Sequence, residues 1–256
     1  MSFAVKNEAG FKYCEQGKGE VILLLHGLFG ALSNFNHLIE YFSKNYTVTI
    51  PLLPLYDLEI GQTTVMGMTD YVDEFVQYKN YPPFHIIGNS LGGHIAQMYV
   101  LRKPGMVKTM TLTGSSGLFE NSLGDTYPRK GDYEYVKKKT EATFYNPQFA
   151  DEELVKEVFD IVNSREKAIR IVAIAKSAIR HNLRDEVPGM KLPVCLIWGK
   201  DDSITPVFVG EEFHKLLPHS ELNIIPNCGH APMMERPDEF NSILEAFLAR
   251  NLANKG

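Results

Sequence analysis

A serine within a run of small residues is the strongest chemical signal in this sequence. Ser90 lies in Gly88-Asn89-Ser90-Leu91-Gly92-Gly93, directly after a predicted strand, Phe84–Ile87, and directly before a predicted helix, Leu91–Lys103. A serine on such a tight strand-to-helix turn projects its hydroxyl into open space, and the glycines let neighbouring backbone pass close to the turn. The helix N-terminus adds partial positive charge beside the hydroxyl. The pattern predicts a nucleophile, although a glycine-rich turn with a capping serine would show the same residues.

An acid and a base that could activate this serine lie downstream. A serine hydroxyl is a poor nucleophile at neutral pH and needs a base that an acid holds in place. Asp201 and Asp202 follow a predicted strand, Val194–Trp198, and His230 follows the next one, Leu222–Ile225. Because the carboxyl ends of parallel strands share one edge of a sheet, the serine, one aspartate and the histidine can meet there. Their spacing does not choose between the two aspartates.

A third turn, His26-Gly27-Leu28-Phe29-Gly30, follows the predicted strand Val21–Leu25. Attack on a carbonyl group puts negative charge on its oxygen, and two backbone N–H groups aimed at that oxygen typically lower the barrier by several kcal/mol. We expect the amides of Leu28 and Leu91 to be these donors. The turn also reads as a simple chain reversal that His26 braces by hydrogen bonding, and the two roles are compatible.

Positioning these residues requires a sheet with its strand ends at one edge. Short β-rich runs alternate with amphipathic, helix-length stretches, which predicts a mostly parallel central sheet flanked by helices, an α/β fold. Val21–Leu25 is apolar at every position, as expected of a strand buried on both faces. The other predicted core strands are Tyr46–Ile50, Phe84–Ile87, Val107–Leu112, Val194–Trp198 and Leu222–Ile225, and the predicted helices are Ser33–Ser43, Met68–Lys79, Leu91–Lys103, Val207–Leu217 and Pro237–Asn251.

Residues 117–188 interrupt this alternation. They show helical periodicity, as in Glu152–Val162 and Glu166–Ile179, and no buried-strand pattern. A segment of about 70 residues is too long for a plain loop in a compact domain. We therefore expect a core domain of residues 1–116 and 189–256 with an inserted helical cap of residues 117–188.

The composition narrows the classes of partner and compartment. The chain has 256 residues and a formal net charge of −5, which argues against a general nucleic-acid binder. Three widely spaced cysteines, Cys14, Cys195 and Cys228, form neither a disulfide framework nor a zinc motif. The longest apolar run, Val21–Leu25, is too short to span a bilayer, and residues 1–12 lack a signal-peptide pattern, so we expect a cytoplasmic protein. The sequence shows no metal-ligand set, phosphate loop or nicotinamide or flavin fingerprint, so we expect no cofactor.

Four motifs of this chain, taken in order, resemble those of the α/β-hydrolase family. They are His26-Gly27, Gly88–Gly93, Gly199–Asp202 and Cys228-Gly229-His230. The resemblance implies the α/β-hydrolase fold, with a cap inserted after Val107–Leu112 and a triad of Ser90, an aspartate and His230. In that family the acid usually stands three residues after the glycine of the third motif, which favours Asp202.

Segments around these motifs are similar to two branches of the family. One comprises carboxylesterases, and the other comprises C–C bond hydrolases that split dienoate products of aromatic ring cleavage. The C–C hydrolases usually carry a cap arginine for the substrate carboxylate and an aromatic residue directly after the catalytic histidine. Here Ala231 follows His230, and no cap arginine stands in a recognisable motif, so both departures favour the esterase branch. The cap arginines considered are Arg165, Arg170, Arg180 and Arg184.

We expect a serine hydrolase that cleaves carboxylic esters, or related acyl compounds, of small to medium apolar substrates through an acyl-enzyme on Ser90. Phe29, Phe119 and Phe144 are candidates for the substrate pocket, although ordinary cap packing would use the same aromatic residues. Two alternatives stay open, namely a C–C bond hydrolase acting on dienoates and a hydrolase-fold ligand-binding protein with little turnover. The expected partner is a small molecule, neither a nucleic acid nor a membrane that the chain spans, and the sequence leaves a homo-oligomer open.

Overall fold

An eight-stranded sheet runs through the centre of the protein. The computed structural model describes residues 3–29, 35–120 and 131–253. In chain order the strands are β1 (Lys6–Glu8), β2 (Phe11–Gln16), β3 (Glu20–Leu25), β4 (Tyr46–Pro51), β5 (Phe84–Asn89), β6 (Val107–Thr113), β7 (Val194–Gly199) and β8 (Ser220–Ile225). Their order across the sheet is β1-β2-β4-β3-β5-β6-β7-β8. Strands β3 to β8 run parallel to one another, whereas β1 and β2 pair antiparallel at one edge.

Helices cover both faces of this sheet. They are α1 (Asn36–Phe42), α2 (Val65–Lys79), α3 (Leu91–Arg102), α4 (Tyr133–Glu141), α5 (Glu152–Asn163), α6 (Arg165–Arg180), α7 (Val207–Leu216), α8 (Pro232–Glu235) and α9 (Pro237–Ala253). In β3, Leu23 and Leu25 pack into the core with α2, α3 and α7, whereas Ile22 and Leu24 pack into the core with α1 and α9. Successive side chains of a strand point to opposite faces, which is why a strand covered on both sides is apolar throughout. No helix within the described ranges is long and apolar enough to cross a membrane.

The predicted α/β fold is confirmed, and each predicted core strand corresponds to one of β3 to β8. The helix predicted at 33–43 begins at Asn36 in the structure, and Ser33 and Asn34 lie outside the described residues. The sequence does not predict β1 and β2. β1 is a three-residue edge strand without apolar residues, and β2, which lies between β1 and β4, mixes polar and apolar residues, so neither carries a continuous apolar run.

Three helices, α4, α5 and α6, make up most of the described part of residues 117–188, which we call the insertion. No strand is present in its described stretches, 117–120 and 131–188, and the insertion connects β6 to β7. A side-chain oxygen caps the start of each helix, because Asp132, Asp151 and Ser164 accept N–H groups from the first turns of α4, α5 and α6. Helical periodicity in the sequence therefore corresponds to helices here.

Hydrogen bonds hold the two ends of the insertion together. The N–H group of Leu183 donates to the carbonyl of Gly117 at 2.8 Å, and the side-chain amide of Asn182 donates to the carbonyl of Leu118 at 2.9 Å. The hydroxyl of Ser177 in α6 accepts the N–H group of Val65 at the start of α2. The insertion thus leaves and rejoins the sheet at one place, beside α2.

The turn from β5 into α3 brings several backbone segments into contact. A Cβ atom on Gly92 would collide with the carbonyl oxygen of Leu25 at the end of β3. A Cβ atom on Gly88 would lie 2.5 Å from the Cα atom of Gly93. Both positions therefore require glycine so that α3 can pass over the ends of β3 and β5.

Adding a methyl group at this crossing should destabilise the protein. We expect Gly92→Ala to lower the free energy of unfolding by about 1–3 kcal/mol because the backbone leaves no room for the methyl group. This loss outweighs the helix preference for alanine, which is about 1 kcal/mol. Gly105→Ala is the matched control, since a Cβ there meets open space, and it should change stability by less than about 0.5 kcal/mol. Denaturant unfolding of both variants measures the difference, and equal stabilities would contradict this packing.

Candidate active site

Ser90 occupies the turn between β5 and α3 in a backbone conformation that is rare for a residue with a side chain. Its φ is 55° and its ψ is −121°. Its N–H group donates to the carbonyl of Thr113 at 3.1 Å, and its own carbonyl accepts N–H groups from Gly93 at 3.0 Å and Ser116 at 3.2 Å. Such strain costs about 1–3 kcal/mol and persists only where the surroundings fix it. These bonds fix Ser90, and the residue remains partly exposed.

His230 and Asp202 form a buried hydrogen-bonded pair at the carboxyl edge of the sheet. Nδ1 of His230 lies 2.9 Å from Oδ2 of Asp202, and the Asp202 side chain is 0% exposed. Because a carboxylate only accepts, Nδ1 carries the proton and Nε2 keeps its lone pair, the tautomer that a general base needs. Within the described residues, the ring contacts Asp202 and the Thr205 hydroxyl and makes no hydrogen bond to the Ser90 hydroxyl. Bonds between a base and its nucleophile are often long before substrate binds.

Several donors hold the Asp202 carboxylate in place. Its Oδ1 accepts the N–H groups of Ile204 at 2.8 Å and Thr205 at 2.9 Å, and its Oδ2 also accepts the Thr205 hydroxyl at 2.9 Å. Asp201 is exposed, and its own N–H group donates to the carbonyl of Cys228. The structure therefore places Asp202 beside the histidine and leaves Asp201 in solvent.

Asn89 at the end of β5 and Gly114 directly after β6 connect Ser90 with the loop that carries His230. The side-chain amide of Asn89 donates to the carbonyls of Thr113 at 3.0 Å and of His230 at 3.2 Å. The His230 ring lies against Gly114, where a Cβ atom would be 2.8 Å from Nδ1. Gly114 also has a φ of 50°, which favours glycine. Ser90 and His230 thus contact the same short stretch of backbone.

The turn at residues 26–29 lies against Ser90, since a Cβ atom on Gly27 would be 3.1 Å from the Ser90 Cβ. His26 braces this turn, because its Nδ1 donates to the carbonyl of Gly27 at 2.8 Å and its Nε2 accepts the N–H group of Leu53 at 3.0 Å. Burial lowers the pKa of His26, which keeps the ring neutral as this acceptor role requires. Gly30 lies outside the described residues.

Each of the two predicted oxyanion donors adjoins a residue of, or in contact with, the nucleophile turn. Leu91 is the first residue of α3 and directly follows Ser90. Leu28 directly follows Gly27, and the Tyr56 hydroxyl donates to the Leu28 carbonyl at 3.0 Å. This bond holds the peptide that joins Leu28 to the next residue. The structure therefore brings both segments next to Ser90, and the oxyanion role of the two amides stays a prediction.

A cavity of about 530 Å³ opens beside the turn at residues 26–29. Its core wall is mainly apolar, and its opposite wall comes from α5 and the residues just before it. The core wall includes Leu28, Phe29, Leu52, Leu53, Leu55, Tyr56 and Met234, and the insertion contributes Phe149, Asp151, Glu153, Leu154, Glu157 and Ile161. Burial raises the pKa of Glu157, the neighbouring charge of Glu153 raises it further, and the charge of Lys167 lowers it.

The three aromatic candidates for substrate binding lie in different places. Phe29 lines the cavity, and neither Phe119 nor Phe144 is among its described lining residues. Phe119 packs edge to face against Phe208, with 5.3 Å between ring centroids. Phe144 is 9% exposed and packs against Phe149 in the core. The structure thus brings Phe29, of these three, to the cavity.

Some supporting residues of the site have no signal in the sequence. The side-chain amide of Asn89 donates to the carbonyl of His230, which is 141 residues away in sequence. The serine motif does not require any particular residue type at the position of Asn89. Gly114 is needed because the same histidine packs on it, and Thr205 binds both members of the acid–base pair. Each role depends on a partner distant in sequence or on the exact path of a loop, which local patterns do not encode.

Known proteins resemble this chain over much of its length. A family model described as the alpha/beta hydrolase family matches residues 22–243. The solved structure of MGS-MChE2, an alpha/beta hydrolase enzyme from a lagoon-sediment metagenome of Mar Chica, Morocco, is 42% identical, covers 96% of this chain and 98% of that chain, and has a TM-score of 0.81. Monoacylglycerol lipase ABHD6 of Mus musculus is 22% identical over 100% of this chain and 85% of the lipase. A 2-hydroxy-6-oxononadienedioate/2-hydroxy-6-oxononatrienedioate hydrolase of Pseudomonas sp is 28% identical over 65% of this chain and 63% of that protein. Fold, motif order and these matches agree, and the chain belongs to the alpha/beta hydrolase family.

Proposed function

We propose that this chain is a serine hydrolase that cleaves carboxylic esters of small to medium apolar substrates through an acyl-enzyme on Ser90. The observation that carries the proposal is the buried pair of His230 and Asp202, with 2.9 Å between Nδ1 and Oδ2, next to a serine in a strained turn. An imidazole held in this tautomer by a buried acid is what a serine nucleophile needs.

In the proposed reaction His230 acts first as a base and then as an acid. Its Nε2 takes the Ser90 proton while Oγ forms a bond to the carbonyl carbon of the ester. The amides of Leu28 and Leu91 stabilise the charge on the carbonyl oxygen, and Asp202 stabilises the imidazolium. The ester C–O bond then breaks, and the imidazolium gives its proton to the leaving alcohol. Water repeats these steps on the acyl-enzyme, which releases the carboxylic acid and restores the serine hydroxyl.

We also propose that the insertion, residues 117–188, is a cap on a core domain of residues 1–116 and 189–256. Helix α5 of the insertion forms the wall of the cavity that faces the turn at residues 26–29. A cap in this position excludes water from the acyl-enzyme and limits the size of the group admitted.

Uncharged, apolar substrates fit this cavity better than anions. Its core wall is built mainly from leucine side chains together with Phe29. The insertion adds three carboxylates, Asp151, Glu153 and Glu157, and no lysine or arginine is among the described lining residues. Coulomb repulsion therefore disfavours a substrate that carries its own carboxylate.

The Pseudomonas relative supports C–C bond hydrolysis as a second candidate function, because its name describes a hydrolase of dienedioates. A dicarboxylate substrate needs a cationic partner. Arg170 in the insertion donates to the carbonyl of Leu58 at 3.1 Å and pairs with Glu166 at 2.9 Å. Arg184 pairs with Glu212 at 3.4 Å. These partners and the acidic cavity wall favour the ester reaction, as does the name of the mouse lipase relative.

Removing the proposed nucleophile should abolish turnover. We expect Ser90→Ala to lower kcat for p-nitrophenyl ester hydrolysis by at least about a thousandfold. Ser220→Ala is the control, because Ser220 begins β8 at the opposite edge of the sheet and should keep full activity. A Ser90→Ala variant with wild-type kcat contradicts the proposal. A folded wild-type chain that binds esters without hydrolysing them supports the ligand-binding alternative instead.

The acid can be tested with a matched pair of neighbours. Asp202→Asn should lower kcat by about 10³- to 10⁴-fold, because an asparagine amide donates to Nδ1 and stabilises the wrong tautomer of His230. Asp201→Asn removes the same charge from an exposed side chain and should change kcat by less than about twofold. Steady-state ester hydrolysis by both variants measures the difference. If Asp201→Asn is the more damaging change, the acid is misassigned.

The acidic wall predicts discrimination between neutral and anionic esters. The kcat/KM for p-nitrophenyl butyrate should exceed that for p-nitrophenyl hemisuccinate by about tenfold or more. Replacing Glu153 and Glu157 together by glutamine should reduce this ratio by about threefold or more, since the repelling charges are gone. Glu152→Gln is the control, because Glu152 lies on the same helix and is not among the described lining residues of the cavity. If the wild type and all variants give the same ratio of kcat/KM values, the proposal that the substrate binds in this cavity is contradicted.

A further inference from the structure

One buried carboxylate beside the active site has no role in the reaction described above. Glu235 ends α8 and is 8% exposed. Its Oε1 accepts the N–H group of Gly229 at 2.8 Å. Its Oε2 accepts the N–H groups of Tyr145 at 2.8 Å and Asn146 at 3.3 Å. A buried carboxylate is unfavourable unless donors surround it, and here three backbone N–H groups do so.

These donors belong to two segments that meet only in the folded chain. Gly229 directly precedes His230, whereas Tyr145 and Asn146 belong to the insertion. The same segments also meet without Glu235, because the N–H group of His230 donates to the carbonyl of Thr143 at 2.9 Å. A Cβ atom on Gly229 would lie 2.7 Å from that Thr143 carbonyl oxygen, so the two backbones are in direct contact. Glu235 therefore lies where the histidine loop touches the insertion.

We propose that Glu235 is a positioning residue for His230, whose carboxylate clamps the backbone of the histidine loop to the insertion and so keeps the imidazole aimed at Asp202 and Ser90. This inference rests on the proposed function. The peptide groups on both sides of Gly229 are held, the one before it by Glu235 through the Gly229 N–H group and the one after it by Thr143 through the His230 N–H group. A small rotation of either peptide would move the ring relative to Ser90, and a misplacement of about 1 Å can lower a rate about a hundredfold.

The charge of Asp202 also acts on Glu235. Burial raises the pKa of Glu235, the three backbone N–H groups lower it, and the charge of Asp202 raises it again. The two carboxylates are therefore electrostatically coupled. Arg236, which directly follows Glu235, pairs with Glu239 at 2.8 Å. The interaction with Asp202 places the Glu235 carboxylate close to the pair of His230 and Asp202.

The test compares Glu235→Gln with Glu239→Gln in steady-state hydrolysis of a p-nitrophenyl ester. Glutamine keeps the shape of the side chain and loses its charge, and Glu239 is an exposed glutamate in the following helix. We expect Glu235→Gln to lower kcat by about 10- to 100-fold, with KM changed by less than about threefold. Glu239→Gln should match the wild type in both quantities.

Thermal unfolding of the same variants separates positioning from folding. If Glu235→Gln loses stability but keeps the wild-type kcat and KM per folded molecule, the inference is overturned. The inference is also overturned if Glu239→Gln lowers kcat equally, because the effect would then be unspecific. If the wild type hydrolyses the ester and Glu235→Gln has the same kcat and KM, this inference is overturned and the proposed function is not. A wild type that hydrolyses no ester overturns the proposed function, and the inference with it.

Discussion

The turn between β5 and α3 holds Ser90 at a φ of 55°, and the placement of every other functional group depends on it. Residues that carry a side chain rarely adopt this backbone conformation, so the surrounding structure must supply the free energy that maintains it. Hydrogen bonds from Ser90 to Thr113 and from Ser116 to Ser90 provide part of it. Close crossing of α3 over β3, which only glycine at position 92 allows, provides another part. The turn places the serine hydroxyl beside the N-terminus of α3.

The proposed acid and base, Asp202 and His230, belong to the part of the chain that follows the insertion. Asp202 is held by two backbone N–H groups and one hydroxyl, which leaves one well-defined direction for the bond to His230. The histidine loop in turn rests on the insertion through the bond from His230 to Thr143. The insertion therefore has two structural roles. It forms a wall of the cavity, and it supports the backbone that carries the proposed catalytic base.

The sequence predicts the central sheet well, because strands such as β3 are apolar on both faces and bounded by turns. It also predicts which residue types meet at the sheet edge. Sequence spacing alone leaves Asp201 and Asp202 open, because both carry the same group and only the path of the loop decides which one points inward. Aromatic residues such as Phe144 are equally ambiguous, since the wall of a cavity and a packed core use the same side chains. Glu235 shows no pattern at all, because its partners at 145 and 146 are joined to it only by folding.

Covalent labelling tests the central claim, that Ser90 is an activated nucleophile, most directly. The tryptic peptide of residues 80–102 contains Ser90 as its only serine and has no threonine, so a mass shift on this peptide can be assigned by fragmentation. Treatment of the folded protein with a fluorophosphonate, followed by peptide mass analysis, should show one phosphonyl group on Ser90. Prior unfolding in denaturant should abolish the labelling. Modification of another residue, or no modification of folded protein that hydrolyses esters, would contradict the account.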